Sequence, residues 1–436
     1  MKTILATVFT LALVWCFSAK AQWTYQGAWP DTSFKGGSGG HGVAVDPDGK
    51  VWMILFGNTD SIFDASSGTM RPCRAINVYN PDGTPASIDR IRTITVGGVT
   101  DTLYGANNNR GLRADQNGNI LLSSGSVLYR VNYQTGEGMN KVTVGAGVLT
   151  AVGVDTLGEI FCGKVLPNNQ LEIYDNGFIY LGNVTDTTVG FSRSTEVSAE
   201  GNDVYWAGYT NHCIYNYHSD NGSFGPYVVQ DTLFKGFDCE SMGWNPTRTK
   251  LWASAGSAND RPNRYPGATT NYSLNTWYGW DPATGQITDS LTWSFQYSTD
   301  SANIRPRGIA FSPDGNTAYV CCFGSGAYPN FEKFVRQPQS VKPDPDVIPS
   351  GFTLSQNYPN PFNPVTQIKF TINDPGLTTL VVYDMLGREV ATLVNEDLKA
   401  GAYKASFDAS GFASGTYVYT LTSGSSRISK KMMIVK

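Results

Sequence analysis

The sequence predicts an all-β chain, a six-bladed β-propeller over residues 22–340 followed by a small immunoglobulin-like β-sandwich over 352–436. Three observations predict this. The 436 residues include 47 Gly, 23 Tyr and 10 Trp, with only 16% charged, a mixture that suits strands joined by tight turns and disfavours a helical bundle or a disordered chain. One phrase recurs with a period of about 40 to 45 residues, the spacing of propeller blades. After a Pro-rich stretch the strand signals become short and alternating, the pattern of a sandwich.

Residues 1–21 have the pattern of a secretory signal. Lys2 supplies the positive start, Ile4 to Phe17 the apolar run, and Ala19-Lys20-Ala21 a small-x-small cleavage site. The run is short for a bilayer span, and no later stretch predicts a transmembrane segment. Removing the signal takes the formal charge from −4 to −6. A net acidic chain lacks the basic face that nucleic acid requires, so no nucleic-acid partner is expected. Six cysteines remain (Cys73, Cys162, Cys213, Cys239, Cys321 and Cys322) and none is spaced C-x-x-C. They predict either disulfides of an exported protein or small buried hydrophobes. Adjacent Cys321 and Cys322 point to opposite faces of a strand and are not expected to bond each other.

The recurring phrase opens as Gly42-Val-Ala-Val-Asp46-Pro-Asp-Gly49. It returns at Gly111 to Gly118, Ala151 to Gly158 and Gly308 to Gly315, with weaker copies near Thr195 and Glu240. Six copies predict six sheets. In each, alternating apolar residues form an inner strand and Asp-x-x-Gly turns the chain into the second. A fourth strand follows, exemplified by Ile91 to Val96. The sixth unit has room for three strands only, so Trp23 to Trp29 is predicted to supply its outer strand and close the ring.

These phrases resemble the NHL, lactonase and streptogramin-lyase type of six-bladed propeller, over roughly residues 23–340. In that architecture the residues leading into the inner strands crowd the mouth of a central channel. By register they are His41, Arg110, Thr150, Thr195, Glu240 and Arg307, with Asn109, Arg193, Glu196, Asp238 and Arg305 nearby. The resemblance implies a divalent cation held there by acidic and amide side chains. Two register positions are Arg, which cannot ligate a cation, so neither a metal nor another cofactor is expected. Arg–Glu pairs filling the channel, or an anionic or sugar ligand held by Arg110 and Arg307, are the alternatives. Lyase-like chemistry would need a histidine base. Of His41, His212 and His218, only His41 falls at the mouth, the other two being assigned to the third strand of unit four. Insertions at Gly57–Arg74, Ala255–Thr276 and Phe323–Asn330 raise one side of the same rim. The second carries Asn259, Arg261, Arg264, Tyr265 and Tyr272, types suited to sugars or peptides.

Residues 341–351 are rich in Pro and read as an extended linker. Beyond them, four segments resemble the type A C-terminal sorting domain of the type IX (Por) secretion system. They are Asn357 to Pro364, holding Asn360, Pro361, Phe362, Asn363 and Pro364; Val382 to Val390, holding Tyr383, Asp384 and Gly387; Ala413 to Tyr417, holding Gly415; and the terminal run with Lys430 and Lys431. The resemblance implies export across the outer membrane by the type IX machinery, then release or attachment to surface lipopolysaccharide. Residues 352–436 carry eight basic and six acidic side chains, so passenger and tail are different surfaces. The sequence therefore predicts a secreted or cell-surface, non-catalytic module for a glycan or protein ligand. A lactonase- or lyase-like enzyme and a structural surface component are the competing classes.

Overall fold

The computed structural model describes residues 23–31, 39–58, 60–104, 109–255, 272–273, 275–293, 305–324, 330–336, 342–343, 351–409, 412 and 414–435. The signal segment and Asn259, Arg261, Arg264 and Tyr265 lie outside the described residues. Apart from two three-residue 3-10 turns, Tyr209–Asn211 and Gly222–Phe224, the regular structure among the described residues is strand.

Six antiparallel sheets follow one another between Trp23 and Arg336. Sheet one holds Gly40–Val45, Val51–Leu55 and Asn77–Tyr79. Sheet two runs Asn109–Ala114, Ile120–Ser124, Val127–Val131 and Gly138–Thr143. Sheet three runs Gly153–Val154, Ile160–Cys162, Leu171–Tyr174 and Tyr180–Thr185. Sheet four is Ser192–Val197, Asp203–Gly208, Cys213–His218 and Val228–Leu233. Sheet five is Met242–Trp244, Leu251–Ala255, Thr276–Asp281 and Gln286–Thr292. Sheet six holds Arg305–Phe311, Thr317–Phe323 and Phe331–Arg336, and its fourth strand is the N-terminal Trp23–Ala28. Trp23 lies opposite Arg336 and Ala28 opposite Glu332, so the start of the chain completes the last sheet.

Alternation along each strand sends apolar side chains to both faces, and six buried clusters fill the spaces between neighbours. Ile120 and Leu122 pack with Trp52 and Ile54 of sheet one, whereas Leu121 between them packs with Ile160 of sheet three. Sheets three and four share Phe161 and Trp206, four and five Ile214 and Leu251, five and six Trp277 and Val320. The sixth cluster joins Phe331 of sheet six to Met53 and Leu55 of sheet one. The series of interfaces returns to its start. The first strands also touch in this order, and glycine is what lets them. A Cβ on Gly111 would come within 2.4 Å of the Ala151 Cα, and one on Gly243 within 2.8 Å of the Ile309 carbonyl oxygen.

The Asp-x-x-Gly phrases are turns. Oδ1 of Asp46, Asp115 and Asp155 each accepts two backbone N–H groups, and Gly49, Gly118 and Gly158 take φ of +82°, +82° and +87°. One expectation fails in sheet one, which has three strands. Thr93–Val96 pairs with Val99–Thr102 as a separate ribbon, tied to the sheet by the Ile76–Ile91 bridge. Gly97 and Gly98 both have positive φ, so a two-residue hairpin turn commits this segment to its own partner. The insertion before it folds as a second ribbon, Asp60–Asp64 with Thr69–Cys73. The six cysteines beyond the signal segment are buried as thiols, with no disulfide between them.

The C-terminal region forms two four-stranded sheets around one apolar cluster. Thr353–Leu354, Val365–Ile372 and Gly401–Asp408 lie in one; Gly376–Tyr383, Glu389–Leu398, Gly415–Ser423 and Ser426–Ile434 make the other. Ile368 and Phe370 meet Leu380, Val382 and Leu421 between them. Part of the expected linker belongs here, since Lys342 and Pro343 pair with Lys404 and Tyr403 as a fourth strand of the first sheet.

Candidate functional site: an arginine cluster where the first strands begin

The first strands approach one another closely, Ala151 bridging Ser194 in parallel, and the residues that lead into several of them meet at one end, here the upper end. At its centre is Glu240, fully buried just before Met242–Trp244. Its carboxylate pairs with Nη1 of Arg307, and Nε of Arg193 and of Arg305 lie 3.7 and 4.0 Å away. Side-chain exposure rises outward, from 3% at Arg307 to 20% at Arg193 and 37% at Arg305. Arg307 is fixed from behind, because Trp277 Nε1 donates to its carbonyl oxygen at 2.9 Å.

Arg110 lies on the other side. Its carbonyl oxygen accepts from His41 Nδ1 at 3.0 Å, and the His41 ring stacks on Phe56 with centroids 5.4 Å apart. The Arg110 guanidinium sits 5.5 Å from the same Phe56 ring, as does that of Arg74. Arg307 lies 5.0 Å over Phe323, and Arg193 5.0 Å over Tyr209. Asn109 is buried, with Nδ2 donating to the Arg74 carbonyl oxygen at 3.1 Å.

Arg307, Arg193 and Arg305 thus share one carboxylate, and Arg110 and Arg74 stand beside them over Phe56. Burial, then Arg193 and Arg74, draw the Arg110 pKa down to about 10; burial, then Arg193, draws Arg307 to about 9. Both remain charged at neutral pH. His41 is held well below its usual value by burial, then by Arg307 and Arg110, and stays neutral. With Nδ1–H donating to a carbonyl, Nε2 is left as an acceptor.

The sequence placed Glu196 and Asp238 in this group. Glu196 sits further along its strand, at the fifth residue of Ser192–Val197, and faces the opposite, turn-bearing end. There it pairs with Arg113, which donates to the Met242 carbonyl oxygen at 2.9 Å, while Arg248 donates to those of Val154 and Val197, both at 2.8 Å. Burial raises the Glu196 carboxyl to about 7 against the pull of Arg113 and Arg248. These side chains line a cavity of about 640 Å³ whose walls include Val43, Trp244 and Ile309. Asp238 binds Nδ1 of His212, which precedes the third strand of sheet four and takes φ +56°. The sequence assigned His212 to that strand. Tyr272 packs against Phe234, Phe237 and Tyr278, a packing role for the described member of its loop. Thr150 and Thr195 are buried at their register positions. The register argument missed Arg74, Phe56, Phe323 and Tyr209, which end or follow second strands or an inserted ribbon outside the repeated phrase. Among the described residues no three His, Cys, Asp or Glu side chains gather as a metal-binding group, and no helix is long and apolar enough to cross a membrane.

The tail motifs converge on the last strand. Asn360 Oδ1 accepts the Met433 N–H at 2.9 Å, the Phe362 N–H donates to the Met433 carbonyl oxygen at 3.0 Å, and the buried Phe362 ring joins the apolar cluster. Pro364 accepts the Ala409 N–H, and Pro361 and Asn363 flank Phe362. After Tyr383, Asp384 Oδ1 accepts the N–H groups of Leu386 and Arg388, with Gly387 at φ +79°. Gly415 and Tyr417 lie opposite Ile434 and Met432, and Lys430 and Lys431 opposite Tyr419 and Val418.

Residues 356–435 match the family described as "Secretion system C-terminal sorting domain". Such a tail indicates export by the type IX secretion system, to the cell surface or beyond it. No curated protein matches the sequence. Among solved structures, PorZ of Porphyromonas gingivalis, described as an essential bacterial surface component of the type IX system, aligns with 10% identity and a TM-score of 0.38. The alignment covers 93% of this chain and 53% of PorZ, so the chain spans about half of that protein. A protein of unknown function from Bacteroides caccae aligns with 13% identity and a TM-score of 0.39, over 58% of this chain and 81% of its own.

Proposed function

We propose that residues 22–340 form a six-bladed β-propeller carried out of the cell by a C-terminal β-sandwich, and that the propeller is a non-catalytic binding module. Its ligand, a glycan or a protein, is taken at the upper end. The observation that carries this is the excess of guanidinium groups at that end: Arg193, Arg305 and Arg307 share the Glu240 carboxylate and Arg110 stands beside them, with Arg110, Arg193 and Arg305 partly open to solvent. A core that filled itself with ion pairs would match its charges more evenly. The six clusters that return from sheet six to sheet one support the ring. The sorting tail supports the route, with surface lipopolysaccharide as the attachment partner if the processed chain stays on the cell.

Two measurements test this. Cells expressing the chain without residues 352–436 retain the passenger in the periplasm; normal release of the truncated chain contradicts the sorting role. The purified full chain, probed on a glycan and polysaccharide array, gives binding that Arg110→Gln weakens. Binding unchanged in that variant removes the upper end as the site.

A further inference from the structure

The ligand's chemistry can be argued one step further from the same end, and this step rests on the binding reading above. We propose that the upper end is a seat for an acidic sugar, with Arg110 and Arg307 receiving its anionic group and His41 receiving a hydroxyl. Three observations lead there.

The first is charge. Glu240 offsets one guanidinium of the group, and its partners are Arg307, Arg193 and Arg305. Arg110 stands apart from these pairs. Its Nε is buried without a hydrogen-bond partner among the described residues, and the Arg307 side chain, 97% buried, also leaves Nε unpartnered. Buried N–H donors on a charged group are costly to leave unmade, and an incoming anion satisfies them. The second is preorganisation. Arg110 rests on Phe56 and Arg307 on Phe323, so aromatic faces hold both guanidinium groups; Arg110 keeps its N–H edge for a carboxylate or sulfate fork, and Arg307, with Nη1 on Glu240, adds its unpartnered Nε. The third is His41. Burial, and then Arg307 and Arg110, keep its ring neutral, and its bond to the Arg110 carbonyl leaves Nε2 as an acceptor. An anion donor set with one acceptor at its side fits a ligand bearing both an anionic group and a donating hydroxyl. An acidic sugar residue has both. The side chains of an acidic peptide present acceptors only.

The test titrates the purified full chain calorimetrically with trigalacturonate, sialyllactose and a heparin hexasaccharide, each beside a neutral sugar of equal length, and with a hexaglutamate peptide. At least one acidic sugar binds, its neutral counterpart does not, and raising salt weakens the complex. Arg110→Gln weakens that binding about tenfold or more, the loss of one charge-assisted contact, while the thermal midpoint holds because no carboxylate is left unpaired. Arg110→Lys, which keeps charge but loses the fork, recovers part of it. Phe56→Leu, which removes the platform, weakens binding in the same direction should Arg110→Gln prove unstable. Failure of all three acidic sugars, or equal binding by Arg110→Gln, overturns the proposal. Stronger binding of hexaglutamate than of any sugar replaces it with an acidic-peptide seat. A neutral sugar that binds and is lost in Arg110→Gln overturns the anion seat and leaves the binding reading standing. Array binding that survives Arg110→Gln sinks both.

Discussion

Replacing Arg307 by alanine isolates what the buried pair at the upper end contributes. Glu240 is fully buried, and Arg307 is its innermost partner. Removing the guanidinium leaves a carboxylate in a low-dielectric site, and breaking a buried pair in this way costs about 3–5 kcal/mol. Two features set the value at the lower end of that range. Arg193 and Arg305 remain at 3.7 and 4.0 Å, and repulsion among Arg307, Arg193 and Arg110 is relieved. The expected loss is about 3 kcal/mol. Urea unfolding followed by tryptophan fluorescence reads it, since Trp277 donates to the Arg307 carbonyl and reports the same neighbourhood. Glu240→Gln also destabilises, by leaving the arginines uncompensated. The double variant loses less than the sum, with a coupling of about 1–3 kcal/mol. A loss below about 0.5 kcal/mol for Arg307→Ala, the size of an ordinary surface substitution, refutes the pair.

Further outcomes follow from the same geometry. Glu332, in the strand that receives the N-terminal segment, is buried and accepts from Tyr25 Oη at 2.6 Å, yet burial raises its pKa to about 8. The folded protein therefore holds this proton more tightly than the unfolded chain. Stability contributed by the group is fully present below about pH 4.5 and declines as pH rises towards 8. Glu332→Gln flattens that decline in a series of thermal melts; an unchanged slope refutes the assignment. Phe362→Ala empties the tail core beneath the Asn360 turn and costs about 3–5 kcal/mol of tail stability, lowering the amount of exported protein. Wild-type export and an unshifted tail transition in that variant would contradict the packing described.

Much of this was legible in the sequence because period and turn chemistry are local. Asp46, Asp115 and Asp155 each fold their own turn, and the alternation Ile120-Leu121-Leu122 already states that two faces must be covered. The shortage of strands after Gly308 was enough to assign Trp23–Ala28 to the last sheet. What escaped was set by non-local detail. Gly97-Gly98 withdrew Thr93–Val96 from sheet one, a turn preference that outweighed the repeat. Glu196 was grouped with Glu240 because the two are near in register, but a few residues along a strand separate one end of a short first strand from the other. Arg74 and Phe56 arrive from outside the repeated phrase, where no period marks them. The tail was readable because its motifs are dense. Its fourth strand, Lys342–Pro343, was hidden in a composition that reads as linker.

The placement of every residue at the upper end depends on the chain closing from its first strand to its last sheet. Amide hydrogen exchange of the full chain tests that closure directly. The backbone amides of Trp23–Ala28 that pair with Phe331–Arg336 are expected to show the same protection as that strand and to lose it in the same unfolding event. Exchange of residues 23–28 at the rate of an unstructured peptide, with sheet six still protected, would contradict the closed ring proposed above.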